Sequence, residues 1–294
     1  MDPTLVPPTD PRAAWELPPF GELPVVEDLE PLLTRVLAPN PSPMTLDGTN
    51  TYVVGAPGTG VVAIVDPGPD DPDHLARVRQ VVAARDAEVA AVVVTHHHVD
   101  HLEAAHPWAR GFGVPVVASS IEVAGPDGRA VGDGDRIALP GCDLEVVATP
   151  GHCADHLAFR LPSGALLTGD HVLGRGTSVV AHPDGDLEAY LDSLQRTLAL
   201  GPDALHPGHG PSLTDDPAAV LTYYRDHRAF REAQLLAVLA AGPRTPRQAV
   251  EVIYAQVPEH LWGAAEASLR AGVASLVARG QARHDDADVV HLTA

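Results

Sequence analysis

Up to residue 216, apolar positions come in short β-branched runs broken by Gly, Pro, Asn and Asp; beyond it they take helical spacing. Runs at residues 61–65, 91–94, 114–118 and 144–148 predict strands, and residues 157–161 and 165–168 predict a hairpin turned at Pro162-Ser163-Gly164. Residues 71–84 carry Leu75, Val78, Val81 and Val82 on one face, the pattern of an amphipathic helix. With its flanking strands this helix makes a βαβ unit, which sends strand C-terminal ends and the loops after them to one sheet edge, where α/β sheets place ligands. Further helices are expected at residues 103–110 and 187–200, a hairpin turn at Asp133-Gly134-Asp135, and a short strand ending at His206. Residues 44–54 read as a hairpin leading into a strand, and residues 27–37 fit strand or helix.

The C-terminal pattern predicts helices at residues 217–241, 245–256 and 258–279, then a two-stranded wing at 281–284 and 289–292. Three helices and a hairpin resemble a winged helix. Residues 1–20 are Pro-rich and are expected to be an extended or mobile tail. The division that follows is a tail (1–20), a catalytic domain (21–215) and a helical winged-helix-like domain (216–294).

A chain of 294 residues that is 45% apolar can bury a large core. Its charge of −20, with 39 acidic residues against 19 basic ones, disfavours non-specific binding to nucleic acid. Every basic residue is arginine, and Arg225, Arg228, Arg231, Arg244 and Arg247 are the one group dense enough to form a phosphate-binding patch. Two cysteines are too few for a disulfide scaffold or a thiolate metal site, which implies a reducing compartment. No secretory signal or membrane-length apolar run is present, so a cytoplasmic protein is expected.

The candidate chemistry starts at Thr95-His96-His97-His98-Val99-Asp100-His101, directly after an apolar strand. Imidazole is the commonest protein ligand for zinc-like ions. The side chains of His96, His98, Asp100 and His101 cannot all aim at one point, which favours two adjacent metals. Three later strands end in the same way, at Gly151-His152, Gly169-Asp170 and Gly208-His209.

This combination resembles the metallo-β-lactamase superfamily, whose fold is an αββα sandwich with a dinuclear site at one edge. The resemblance implies that His96, His98 and His152 hold one metal, that Asp100, His101 and His209 hold the other, and that Asp170 bridges them. It implies a hydrolase in which metal-activated water attacks an ester-like bond, with Asp100 as a ligand and candidate proton acceptor. Zinc is favoured, and manganese or iron would suit the same donors. Asp66 is the best candidate to orient a ligand histidine, its alternative being a turn or cap residue. Asn50 stands beside the site or caps a turn. His171 and His156 contact substrate or pack, His97 faces away, and Cys153 is a buried small residue rather than a nucleophile.

Asn40-Pro41, residues 45–52, Thr149-Pro150-Gly151-His152, Thr168-Gly169-Asp170 and His206-Pro207-Gly208-His209-Gly210-Pro211 are similar to the β-lactamase-like protein 2 branch of that superfamily. That branch contains a single-strand-specific endoribonuclease, and fungal relatives release polyketides from carrier proteins by thioester hydrolysis. An acyl thioester, as a small-molecule or short polymeric substrate, is therefore weighed against RNA. A metal-stabilised binding module is the reading of another class. Asp285, Asp286 and Asp288 lie where a wing would approach phosphates, so the helical tail is expected to cover the site or mediate a homodimer rather than read DNA.

Overall fold

Strands buried on both faces fix the layering. In the stretch from Ala91 to Val94, Ala91 and Val93 point into one apolar cluster while Val92 and Val94 point into another. The computed structural model describes residues 5–293. Its first sheet runs in chain order through β1 (Val26–Glu30), β2 (Leu33–Leu37), β3 (Asn50–Val54), β4 (Val61–Val65), β5 (Glu88–Val93), β6 (Val116–Ala118) and β7 (Arg129–Ala130). Strands β1 to β4 pair antiparallel and β4 to β7 parallel. The second sheet comprises β8 (Arg136–Ile137), β9 (Leu144–Ala148), β10 (Leu157–Arg160), β11 (Leu166–Gly169) and β12 (Leu205–Pro207), with β12 outermost beside β11.

The interior between the sheets is filled by Leu33, Tyr52, Val54, Val65 and Val93 from one side and Leu144, Val146, Phe159 and Leu167 from the other. Helices α1 (Pro72–Ala84) and α3 (Ala105–Phe112) cover the outer face of the first sheet through Val78, Val82 and Trp108. Two one-turn helices, α2 (Val99–Leu102) and α4 (Ile121–Ala124), flank α3 in the chain. The outer face of the second sheet lies under α5 (Leu187–Leu200) and α6 (Pro217–Ala240), packed through Tyr190, Leu194, Val220 and Tyr224. These layers form the αββα sandwich. Caps set the helix starts: Asp71 accepts from His74 N–H at 2.7 Å ahead of Pro72, and Asp216 caps α6 in the same way.

A fourth core joins the second half of α6 to α7 (Pro246–Ile253), α8 (Trp262–Ala278) and the hairpin β13 (Ala282–His284) with β14 (Val290–Leu292). This is the expected helical and winged part. Among the described residues, no helix is long and apolar enough to cross a membrane.

Three expectations change. Residues 27–37 are two strands turned at Pro31-Leu32. The turn at Asp133–Asp135 is not a hairpin, because β7 pairs with β6 and β8 with β9, so the chain crosses there from one sheet to the other. A tight turn serves a crossover as well as a hairpin, and only the pairing partners tell them apart. The Pro-rich tail, where it is described, is docked: Arg12 is buried and donates to Leu173 O at 2.9 Å and to Gly176 O at 2.6 Å, and Asp10 pairs with it. Its guanidinium also lies over the rings of Tyr223 and Tyr224.

Three histidines apart from the candidate ligands lie where charging is unfavourable, His74 and His206 buried and His227 half-buried. Burial pushes His74 down to about 4, His206 down to about 4 and His227 down to about 3. The folded protein therefore keeps them neutral while the unfolded chain takes up protons near pH 6.5. Their effect on stability is absent above that pH and grows as pH falls towards 4, by up to ~1.4 kcal/mol per pH unit for each. The urea midpoint is expected to drop between pH 7 and pH 4.5, and His74→Gln should flatten that slope by about one proton. Identical slopes for the two proteins would contradict the assignment.

Candidate metal centre

Each predicted ligand sits just past the end of a strand. Strand β5 leads to His96 and His98, and His98 is the N-cap of α2, which places Asp100 and His101 on its single turn. The loop after β9 supplies His152, Gly169 at the end of β11 precedes Asp170, and the turn after β12 supplies His209. The backbone must come close to fit these groups together. A Cβ on Gly208 would stand 2.7 Å from both Asp170 Oδ1 and His101 Cε1, so only glycine fits there.

Two clusters result. His98 Nδ1 lies 3.0 Å from His96 Nε2 and 3.0 Å from His152 Nε2. His209 Nε2 lies 3.2 Å from His101 Nε2 and 3.2 Å from Asp100 Oδ2. Asp170 spans them: its Oδ1 is 3.5 Å from His101 Nε2 and 3.4 Å from His209 Nε2, and its Oδ2 is 3.7 Å from His152 Nε2. Nitrogens sharing a tetrahedral ion at about 2.0–2.1 Å stand about 3.3 Å apart, so the donor spacing suits one ion per cluster.

The outward nitrogens decide which way the lone pairs point. Thr95 Oγ1 donates to Asp66 Oδ2 at 2.8 Å, so the 2.9 Å contact from His96 Nδ1 to that hydroxyl requires the proton on Nδ1. His152 Nδ1 donates to Val179 O at 2.6 Å and His209 Nδ1 to Gly48 O at 3.2 Å. His101 Nδ1 faces Asp66 Oδ2 at 2.9 Å, and His98 Nε2 lies 3.5 Å from Asp184 Oδ2. With their outer nitrogens protonated, all five rings aim lone pairs inward. Asp170 Oδ1, buried among them, has no hydrogen-bond partner among the described residues. Lone pairs crowded around an orphaned carboxylate oxygen call for a cation, and hard oxygen with borderline nitrogen suits a divalent one.

The electrostatics agree. Burial and the surrounding imidazoles hold His96 well below its ordinary range, and burial with His152 lowers His98. Burial also opposes charge on His101 and His209, yet Asp66 and Asp170 raise His101 well above normal, and Asp170 with Asp100 raises His209 to about 9. Protons and a divalent ion would therefore compete for the inner nitrogens of His101 and His209.

Asp66 stands between the end of β4 and the His96–His101 tract. It adopts φ 49, a conformation aspartate tolerates, and accepts from Thr95 N–H at 2.8 Å as well as from His101. Asn50 is fully buried and its Nδ2 donates to Pro207 O and Gly210 O, both at 2.8 Å, so it holds the His209 turn and meets no substrate. His171 is a correction: it is fully buried against the Tyr190 ring and Thr197, behind Asp170, and cannot reach substrate. His156 has a role the sequence reading missed, because its Nε2 accepts from Asp170 N–H at 3.0 Å while its Nδ1 donates to Thr149. His97 faces outward and donates to Asp155 at 2.7 Å. Cys153 is buried with its thiol pushed up by desolvation and by Asp155, which suits packing and not nucleophilic attack. Thr95, Asp184 and the carbonyls of Gly48 and Val179 were also missed; Thr95 was legible as the residue before the tract, while a carbonyl leaves no mark on a sequence.

Residues 44–209 match the metallo-beta-lactamase superfamily, and residues 245–288 match the beta-lactamase associated winged helix domain. A beta-lactamase-like protein 2 homolog of Drosophila melanogaster is 31% identical over 283 residues, covering 89% of this chain and 93% of that protein. An atrochrysone carboxyl ACP thioesterase of Aspergillus chevalieri is 35% identical over 254 residues, covering 83% of this chain and 79% of its own. A solved metallo-beta-lactamase family protein of Thermus thermophilus superposes with a TM-score of 0.77 at 23% identity, over 90% of this chain and 100% of that one, and supports the fold. The chain belongs to the metallo-β-lactamase superfamily, as a hydrolase with a C-terminal winged helix, and over most of its length it is similar to the β-lactamase-like protein 2 branch.

Proposed function

We propose that this protein is a dinuclear metal-dependent hydrolase of acyl thioesters or close ester analogues. The observation that carries the reading is the meeting of five inward imidazole nitrogens with Asp100 and Asp170 in two clusters joined by Asp170. His96, His98 and His152 would hold one divalent ion and Asp100, His101 and His209 the other, with Asp170 facing both. Zinc suits this donor set best, and manganese or iron(II) would also be accommodated. Divalent ions bound there would acidify water to a pKa of about 7 and polarise the attacked carbonyl.

The chain's own residues do the rest. Asp66, Thr95 and the carbonyls of Gly48 and Val179 fix ring orientation, and His156 fixes the backbone of Asp170. Asp100 is the most open carboxylate of the group, with 25% of its side chain exposed. Burial opposes its charge, but the hydrogen bond to His209 and the neighbouring His101 together hold it below the ordinary carboxylate range. Its open position, and not its basicity, makes it the carboxylate placed to take the proton that attacking water gives up.

The surroundings favour a carbonyl over a phosphodiester. Val99, on the helical turn that carries Asp100 and His101, is 69% exposed, while Asp184 lies 3.5 Å from both His97 and His98. An apolar and acidic rim repels a polyanion and accepts an acyl chain. Four of the five arginines that could have formed a phosphate track are occupied. Arg228 is buried, Arg225 pairs with Asp226, Arg231 stacks 4.4 Å over Tyr254, and Arg247 stacks over Trp262 among Glu251, Glu259 and Glu266. Similarity to a carrier-protein thioesterase supports the same choice. Both cysteines are unpaired and buried, which fits the cytoplasm we propose.

Chelation is expected to abolish turnover and zinc to restore it, and His98→Ala should lower kcat by more than about 10²-fold. Retained activity in a metal-free preparation would overturn the mechanism. In parallel assays on an acyl thioester and a single-stranded RNA, with Asp100→Ala as the blank, the thioester is expected to turn over at least about 10²-fold faster. The reverse ranking would establish the nuclease reading, and no turnover of either would revive the binding module.

A further inference from the structure

The support of His152 lies outside both sheets. Its Nδ1 donates to the carbonyl of Val179, in a stretch with no helix or strand. The helical domain grips that stretch on both sides of the carbonyl. Arg228 of α6 donates to Ser178 O, Ser268 Oγ of α8 accepts from Val180 N–H at 3.3 Å, and Ala267 O accepts from His182 N–H at 3.5 Å. Arg228 is only 8% exposed, and its guanidinium sits 5.0 Å over the ring of Tyr190, whose hydroxyl donates to His171 O at 2.6 Å. Ser178 Oγ donates to that same carbonyl at 3.1 Å, so the sandwich holds one end of the stretch as well.

We propose that Arg228 and Ser268 are positioning residues for His152. They fix the Val179 carbonyl, the carbonyl fixes the imidazole N–H, and the ring then aims Nε2 at the cluster with His96 and His98. A buried guanidinium on a carbonyl makes a charge-assisted bond that a neutral donor does not match. The winged-helix half of the chain thereby sets the affinity of one metal position and leaves the other, built from Asp100, His101 and His209, untouched. This rests on the metal-binding reading given above.

The test uses the whole chain as Arg228→Gln, Arg228→Lys and Ser268→Ala, with Arg231→Gln as control, since Arg231 is on α6 but bonds Gln234 and stacks over Tyr254. Cobalt(II) titration followed by visible absorption, and zinc competition with a chromophoric chelator, report each position. The wild type should bind two equivalents. Arg228→Gln and Ser268→Ala should weaken one equivalent by about 10- to 100-fold, alter the cobalt spectrum of that position alone, and leave the other at wild-type affinity. Arg228→Lys should recover part of the loss, and Arg231→Gln should bind as the wild type does. If Arg228→Gln does not fold, Ser268→Ala decides alone. Folded variants with two wild-type affinities, or equal weakening in Arg231→Gln, would overturn the proposal while the metal reading stands. A wild type that binds neither cobalt nor zinc would overturn both.

Discussion

Five imidazoles can share one small volume only if each is gripped from outside in the tautomer that leaves its inner nitrogen unprotonated. Most of the architecture around the site meets that constraint. Asp66 sits in a left-handed backbone conformation and spends its two oxygens on Thr95 and His101. Thr95 relays the effect to His96 Nδ1. Backbone carbonyls from two distant loops hold His152 and His209. Remove any one grip and the ring is free to rotate or to protonate inward, and the crowding of lone pairs that suits a divalent ion is lost.

The ligands were legible in the sequence because each follows an apolar run and a turn residue, and side-chain chemistry is written in the residue names. Asp66 was legible for the same reason, being a carboxylate at a strand end one strand away from the tract. What lay beyond reach was set by pairing and by backbone. Nothing in Asp133-Gly134-Asp135 says whether the next strand returns to its own sheet or crosses to the other. Asn50 and His171 have polar side chains near the motifs, but their burial depends on how the second sheet and α5 close over them. His156 read as a substrate contact or a packed residue because its task is to accept a backbone N–H, which any residue but proline at position 170 would offer.

Charge assignments changed in a more instructive way. A run of arginines on the C-terminal helices looked like the one place where a nucleic acid would find a grip. In the fold four of those five guanidiniums are spent on aromatic faces, a carbonyl and carboxylates, and Asp288 of the wing is itself held by Arg270 at 2.8 Å. Arginine is suited to such internal service because its planar group stacks and bonds at the same time. Composition counts charges, and only the fold tells which of them face outward.

Helix α6 belongs to two cores at once: Val220, Leu221 and Tyr224 close the sandwich, and Leu235, Val238 and Leu239 seat the winged helix. A rigid rod shared in this way makes the two halves one cooperative folding unit. Ending the chain before α6 would strip the lid from Leu166, Leu205 and Tyr190 and leave an apolar sheet face open to aggregation. The winged helix is therefore not a module that can be traded freely between relatives, and a recombinant exchange would have to carry α6 with it.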